Sequence, residues 1–197
     1  MNMREVRNEE KKDKDLPALL FDFQNVIRSP HVNISSLFYL RILNVYNLTA
    51  YYTPTKQVYC ALWSETLSVL TGNDIASSFH KILTVLTEEN DLTELITWSD
   101  SCVPQNRNSI ISNSVLHFLK DNPQVKSVTM KHSLPGHSSV QEVDSFHSNI
   151  EKSINKTDFY SAIGLIRILK QVNRRHPYRV IQFNLMTLKM FKEQQSF

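Results

Sequence analysis

The chain has 197 residues, of which 41% are hydrophobic and 21% are charged, and its formal net charge is +3. This is the composition of an ordinary globular protein, and the length suits one domain with a substantial core. Only three glycines occur, so neither a P-loop nor a glycine-rich dinucleotide fingerprint can be written, which excludes the usual nucleotide-binding motifs. The small positive charge is compatible with a polyanionic partner but is not diagnostic of one.

Targeting and crosslinking signals are also missing from the sequence. The first residues are charged and polar and do not resemble a signal peptide, and no run approaches the roughly 18 apolar residues of a membrane span. Cys60 and Cys102 have no CxxC spacing, so we expect neither a disulfide framework nor a structural zinc site. We therefore expect an intracellular protein with no membrane partner, in which residues 1–16 form a disordered charged tail.

The first half of the chain predicts strands and one short helix. Residues 18–24 are an apolar run and predict the first strand. Residues 33–46 mix helical spacing with high apolarity and predict a short helix. Two runs rich in aromatic and β-branched residues, 48–52 and 57–63, flank a turn and predict a β-hairpin.

The second half predicts alternating helices and strands. The predicted elements are a helix beginning near Gly72, a strand at 92–100, a helix ended by Asn122-Pro123, a strand at 125–132, a helix with apolar residues from Val140 to Ile154, and a helix around 163–172. Three leading antiparallel strands followed by alternating helices and strands form a mixed sheet. This order is found in ribonuclease H-like domains, so we predict an α/β fold of that type over residues 17–180, followed by a C-terminal tail at 181–197.

Acidic residues occur at three separated points of this scheme. Asp22 interrupts the apolar first strand, where an ionised carboxylate is costly unless a cation pairs with it. Asp100 ends the fourth strand, and the carboxyl ends of strands in α/β sheets are common places for functional sites. Asp144, His147 and Glu151 follow one another at helical spacing along one polar stripe. Taken singly, Asp22 also fits an exposed strand face, and Asp100 also fits a turn. The stripe that begins at Asp144 also fits a solvated helix face.

Together the three aspartates predict a metal centre, because this strand order can bring them to one place. We predict catalytic roles for Asp22, Asp100 and Asp144, with His147 as a further metal ligand. Such a cluster holds two divalent cations roughly 4 Å apart and promotes in-line displacement at a phosphodiester. Mg²⁺ or Mn²⁺ best suits carboxylate ligands, and the histidine leaves Mn²⁺ or Zn²⁺ open.

Other residues suggest contacts with a ligand or a different chemistry. The loop after Asp100 contains amide and cationic donors suited to phosphate contacts, and we predict such contacts for Gln105, Asn106, Arg107 and His137. A thiolate–imidazole pair of Cys102 with His132, His137 or His147 is an alternative site. The aromatic pairs Tyr51-Tyr52 and Phe159-Tyr160 could stack on bases or pack in the core, and Arg174-Arg175-His176 with Arg179 form a small basic cluster.

Several blocks of the sequence resemble a family. In chain order they are Tyr39 with Val45-Tyr46-Asn47, Trp63-Ser64-Glu65, Gly72-Asn73-Asp74-Ile75-Ala76-Ser77, Trp98-Ser99-Asp100-Ser101-Cys102 with Gln105-Asn106-Arg107-Asn108, and Gly136-His137-Ser138 with Asp144 and His147. The series resembles a domain of transposon-derived proteins of insects and other animals, which looks like a ribonuclease H-like transposase core. The resemblance covers about residues 17 to 180 and implies that Asp22, Asp100 and Asp144 match the acidic triad, with His147 beside it.

The expected function is transposase-like, metal-dependent cleavage or strand transfer on nucleic acid in the nucleus. DNA is the expected partner, RNA is an alternative, and an oligomer is compatible with the sequence. The rival hypothesis is a catalytically inactive, domesticated domain that binds protein or nucleic acid. It is motivated by the lack of the family's basic residue just before Gly72, and by the expectation that the family's preceding DNA-binding or Cys-rich segment is missing here.

Overall fold

The computed structural model of the chain describes residues 17–31, 42–68, 70–102, 105–133, 141–184 and 191. In chain order the elements are β1 (Ala18–Phe23), β2 (Ile27–Ser29), β3 (Leu43–Tyr52), β4 (Gln57–Ser64), α1 (Gly72–Glu89), β5 (Glu94–Ser99), α2 (Ser109–Asp121), β6 (Ser127–His132), α3 (Gln141–Ile154), α4 (Ala162–Gln171) and β7 (Arg179–Gln182). None of these helices combines the length and apolarity that crossing a membrane requires.

The strands form one mixed sheet in the order β6-β5-β1-β3-β4-β7, with β2 paired to β3 beside this path. The pairs β1–β3 and β3–β4 are antiparallel. The pairs β1–β5, β5–β6 and β4–β7 are parallel; α1 leads from β4 to β5, and α2 leads from β5 to β6. The predicted α/β class with a mixed sheet is therefore confirmed.

Helices cover both faces of the sheet, because residues of the central strands alternate between two apolar surfaces. The α1 and α2 side contains the larger core, in which Phe21 of β1 lies with its ring centroid 4.3 Å from that of Phe79. On the opposite face, α3 and α4 pack against β1, β3 and β4 through Val143, Ile150 and Leu165. This second face of the sheet carries the polar residues described below.

The predicted short helix over residues 33–46 is wrong at its end, where residues 43–46 begin β3. Residues 33–41 lie outside the described residues. The strand β3 is central, and both Val45 and Tyr46 are buried although they point to opposite faces. The sequence of a strand that is covered on both faces is a continuous apolar run, and periodicity alone does not distinguish such a run from a helix.

Two strands were not predicted at all. The three-residue β2 is too short to give a pattern, and β7 lies parallel to β4 at the edge of the sheet. Phe183 and Phe191 are buried in the larger core, so the domain continues past the predicted boundary at residue 180. Residues 1–16, predicted to be a charged tail, lie outside the described residues.

Candidate metal centre

Asp22 and Asp100 are brought side by side by the parallel pairing of β1 with β5. Leu20 is opposite Trp98 in this pair, so the residues two positions later, Asp22 and Asp100, come level at the carboxyl ends of the two strands. Side chains two residues apart share a face. Because Leu20 and Trp98 pack together with Val143 of α3, both aspartates belong to the face that α3 covers.

The helix α3 supplies the other two members of the centre. Val143 is fully buried against β1 and β5, and this contact anchors the first turns of the helix. Asp144 and His147 follow on the same helix three residues apart. A carboxylate oxygen of Asp22, a carboxylate oxygen of Asp144 and a ring nitrogen of His147 all lie within 4.8 Å of one another. We call Asp22, Asp100, Asp144 and His147 the acidic centre.

The carboxyl group of Asp22 is in an environment that disfavours its charge. Burial first, and then the negative charges of Asp100 and Asp144, raise its pKa from 3.8 to about 7. Hydrogen bonds from the Phe23 backbone and the Asn106 side chain act in the opposite direction but are outweighed. Adjacent carboxylates without a compensating cation produce this pattern, which a bound cation would relieve.

His147 is neutral over the physiological range. Burial lowers its pKa to about 4, although the charge of Asp144 opposes the shift. Its Nε2 atom is buried and has no hydrogen-bond partner among the described residues. Neutral imidazole with an unused nitrogen is the form that binds a metal ion.

The loop after β5 holds Asp100 in place. The backbone N–H of Cys102 donates to Asp100 Oδ1 at 3.2 Å, and Asn106 Nδ2 donates to the same oxygen at 2.5 Å. Asn106 is fully buried, and its amide also acts to lower the pKa of Asp22. A single neutral side chain therefore bonds Asp100 and acts electrostatically on Asp22.

Asn106 thus differs from the outward-facing phosphate contact that we predicted for it. Its side chain is turned inward onto the carboxylates, and none of its surface reaches solvent. Gln105 is half-buried and Arg107 is exposed in the same loop, where their nucleic-acid contacts stay predictions. His137 lies outside the described residues.

We expect Asn106→Ala to weaken metal binding about 10- to 100-fold, because side chains that orient ligands have effects of this size. The substitution removes the amide that holds Asp100 and that lowers the pKa of Asp22, so both carboxylates lose a favourable contact. Gln105→Ala is the matched control, since it shortens the neighbouring amide side chain. Isothermal titration with Mn²⁺ measures both affinities. Equal affinities for the two variants would contradict the positioning role of Asn106.

Cys102 does not have the surroundings of a nucleophile. Burial and the charges of Asp100 and Asp22 raise the pKa of its thiol, whereas a reactive cysteine needs a lowered pKa. His132, one of its predicted partners, instead has Nδ1 at 3.0 Å from Ser99 Oγ. These contacts disfavour the thiolate–imidazole alternative.

A buried polar group beside the acidic centre was missed by the sequence analysis. Thr49 is opposite Asp22 in the β1–β3 pair. Asn47 Nδ2 donates to Gln24 Oε1 at 2.8 Å and to Thr49 Oγ1 at 3.0 Å, and all three side chains are buried. Polar residues two apart in a strand that is otherwise apolar were the available signal. The arrangement continues the polar lining of this face from the acidic centre toward β4.

Comparison with known proteins adds no assignment to this geometry. The sequence matches no model of a protein family, and no curated protein matches it. The function is therefore inferred from the arrangement of the described residues.

Proposed function

We propose that this domain is a metal-dependent enzyme that cleaves or transfers phosphodiester strands of nucleic acid. The observation that carries the proposal is the approach of Asp22, Asp144 and His147 to within 4.8 Å, with Asp100 close enough to raise the pKa of Asp22. These residues come from β1, the end of β5 and α3. Three distant segments of the chain therefore contribute to one acidic centre.

The strand order supports a ribonuclease H-like fold as part of the proposal. The path β6-β5-β1-β3-β4, with antiparallel pairs at β1–β3 and β3–β4 and parallel pairs at β1–β5 and β5–β6, is the order of ribonuclease H-like domains. The additional β7 extends this sheet beyond β4. In this fold, acidic residues on the first strand, at the end of the fourth long strand and on a later helix meet at one edge.

The donor atoms of the acidic centre suit a divalent cation. Asp22, Asp144 and His147 would hold the ion, and Asp100 would add negative charge beside it. Carboxylate oxygens favour Mg²⁺ and Mn²⁺, and the neutral imidazole extends the range to Zn²⁺. Such ions supply an activated water or hydroxyl and stabilise the leaving oxygen in an in-line displacement at phosphorus. The protein's own part is to orient the carboxylates, through Asn106 and the Cys102 backbone, and to keep His147 neutral.

The sequence blocks around Trp98-Ser99-Asp100 and Asp144-His147 support a transposase-like origin for the domain. Under this proposal the substrate is DNA, with RNA as the alternative, and the protein works in the nucleus. The Asp100 block includes Asn106, whose buried amide donates to the Asp100 carboxylate. A motif that serves the acidic centre directly is a better guide to function than one that only maintains packing.

Thermal unfolding with and without millimolar Mg²⁺ or Mn²⁺ tests the metal site. A cation that binds only the folded protein raises its melting temperature, and we expect a rise for the wild type. We expect none for the Asp22→Ala, Asp100→Ala double variant. Glu88→Ala, Asp91→Ala is the matched control because both residues are exposed carboxylates outside the acidic centre, and it should keep the rise. A wild type that shows no rise with either cation would contradict the metal centre and leave the inactive binding module as the better hypothesis.

A further inference from the structure

The outward face of α4 combines an aromatic ring with a row of cations. Ser161 caps the helix by accepting a hydrogen bond from the Gly164 backbone at 3.4 Å. Leu165, Ile168 and Leu169 are buried on the inward side. On the outward side, helical spacing places Ile163, Arg167 and Lys170 in one stripe, and the exposed residues Tyr160 and Arg174 flank the two ends of the helix.

Tyr160 is held outward by its neighbour. Phe159 is 3% exposed, and its backbone forms a two-hydrogen-bond bridge with His31. A Cβ on Gly164 would meet the Phe159 Cβ at 3.0 Å, so glycine allows the helix to begin close against this ring. Successive residues in extended backbone point to opposite sides, and Tyr160 is accordingly 65% exposed. The ring is available for stacking without any rearrangement of the core.

The charge of this region is of one sign. Residues 159–184 contain five lysines and arginines and no aspartate or glutamate, in a chain whose net charge is only +3. Arg179 is paired with Glu89 at 2.9 Å. The other four, Arg167, Lys170, Arg174 and Arg175, are exposed and make no salt bridge to a carboxylate within the described part of the chain. A local excess of unpaired cations on one surface fits a polyanion.

A cavity adjoins this stripe. It has a volume of about 400 Å³, and Lys170 and the Arg179–Glu89 ion pair line it together with the Gln57 side chain and the Pro177–Tyr178 segment. The Gln57 Nε2 group donates to the Pro177 carbonyl at 3.0 Å, which fixes that wall. The stripe therefore ends beside a recess in which Arg179 is paired with Glu89 and Lys170 is the cation available to a phosphate.

We propose that the outward face of α4 binds single-stranded nucleic acid. Arg167, Lys170, Arg174 and Arg175 contact successive phosphates, and Tyr160 stacks on an unpaired base. Cationic grooves with exposed aromatic rings bind single strands in this way, because every base offers a flat face whereas a duplex keeps its bases stacked on one another. The inference rests on the proposed function for its choice of polyanion, and α4 lies beside α3 on the sheet face that carries the acidic centre.

Fluorescence anisotropy of the full chain with a labelled oligothymidylate in EDTA tests the cations. We expect Arg167→Gln, Lys170→Gln to weaken binding at least about tenfold and to reduce the salt dependence, by a slope of about 0.7 for each lost phosphate contact. The matched control is Lys120→Gln, Lys126→Gln, which removes the same charge from exposed positions outside this face and should change the affinity less than twofold. Equal losses in the two variants would overturn the proposal, as would a wild type that does not bind the oligonucleotide but binds anionic vesicles.

Tyr160 tests the preference for a single strand. We expect Tyr160→Ala to weaken oligonucleotide binding about fivefold or more and Tyr160→Phe to bind like the wild type, because stacking needs only the ring. A duplex of equal length should bind less tightly than the single strand. Wild-type affinity of Tyr160→Ala, or a duplex that binds as tightly, would overturn the proposal.

The binding face and the acidic centre can be judged separately. Asp22→Asn and Asp144→Asn should bind the oligonucleotide in EDTA at least as tightly as the wild type, since neither residue belongs to the α4 face. Intact binding without metal-induced thermal stabilisation would contradict the metal centre alone. Metal-induced stabilisation with no selective loss on changing Arg167 and Lys170 would contradict the binding face alone.

Discussion

In an assay of nucleic-acid cleavage with Mg²⁺ or Mn²⁺, we expect the Asp144→Asn protein to be at least about a thousandfold slower than the wild type. This factor corresponds to roughly 4 kcal/mol of lost transition-state stabilisation. Asp144 shares the 4.8 Å group with Asp22 and His147, and an amide in its place has no charge with which to hold a cation. The side chain is exposed, so the substitution should leave the stability of the fold nearly unchanged.

Glu151→Gln is the matched control for this experiment. Glu151 is an exposed carboxylate on the same helix, two turns after Asp144 and outside the metal-ligand group. The sequence placed it on the same polar stripe as Asp144 and His147. Both variants remove one negative charge from α3, so a difference between them reflects the place of Asp144 in the metal-ligand group. We expect near wild-type cleavage by Glu151→Gln. Cleavage by Asp144→Asn at the rate of this control would contradict the proposed mechanism.

Replacing Asp22 by asparagine should have two opposite effects, loss of metal binding and a more stable metal-free protein. In the folded chain the Asp22 pKa is raised from 3.8 to about 7 by burial and by Asp100 and Asp144. Between these pH values the folded state retains a proton that the unfolded state has lost, so this group lowers stability as the pH rises from about 4 to about 7. At pH 8 the whole cost is present, on the order of 2–4 kcal/mol once screening by water is allowed for.

The measurement is urea unfolding in metal-free buffer at several pH values. We expect Asp22→Asn to exceed the wild type in free energy of unfolding at pH 8 and the difference to shrink toward pH 4, where the wild-type carboxyl is protonated. If the two proteins had equal free energies of unfolding at pH 8, or if their difference grew on acidification, the ionised Asp22 carboxylate would not be destabilising the fold.

His147 contributes to the same measurement with the opposite sign. Its pKa is lowered to about 4 in the folded state, so its contribution to stability is present above its ordinary pKa and is lost as the pH falls from about 6.5 to 4. In the wild type the effects of Asp22 and His147 offset each other over this interval. In Asp22→Asn only the His147 effect remains, and stability should fall more steeply on acidification than in the wild type.

The parts of the molecule that were predictable from sequence are those in which local pattern and tertiary structure agree. The 48–63 hairpin and the helices that became α1 and α2 have regular periods, and Asn122-Pro123 gives α2 a clear end. Asp22 was identifiable because an ionised carboxylate in an apolar strand is costly unless a cation pairs with it. Asp100 was identifiable because it ends a strand in an alternating α/β order.

The remaining features depend on contacts between distant segments, which no local pattern encodes. The influence of Asn106 on the pKa of Asp22 exists only because β1 lies beside β5, since the two residues are far apart in sequence. The buried Gln24–Asn47–Thr49 group likewise needs β1 and β3 to be paired before its hydrogen bonds can form. The strand character of residues 43–46 was hidden because β3 is covered on both faces.

The pairing of Leu20 with Trp98 sets the register of β1 against β5, and the acidic centre forms only in this register. A slip of one residue between β1 and β5 would turn Asp100 to the opposite face, among the apolar side chains under α1 and α2. The apolar runs of both strands would tolerate such a slip better than the carboxylates would. A cation that needs Asp22 and Asp100 on one face would therefore favour the native register over its neighbours, and refolding with Mn²⁺ present would yield a more uniform population than refolding without it.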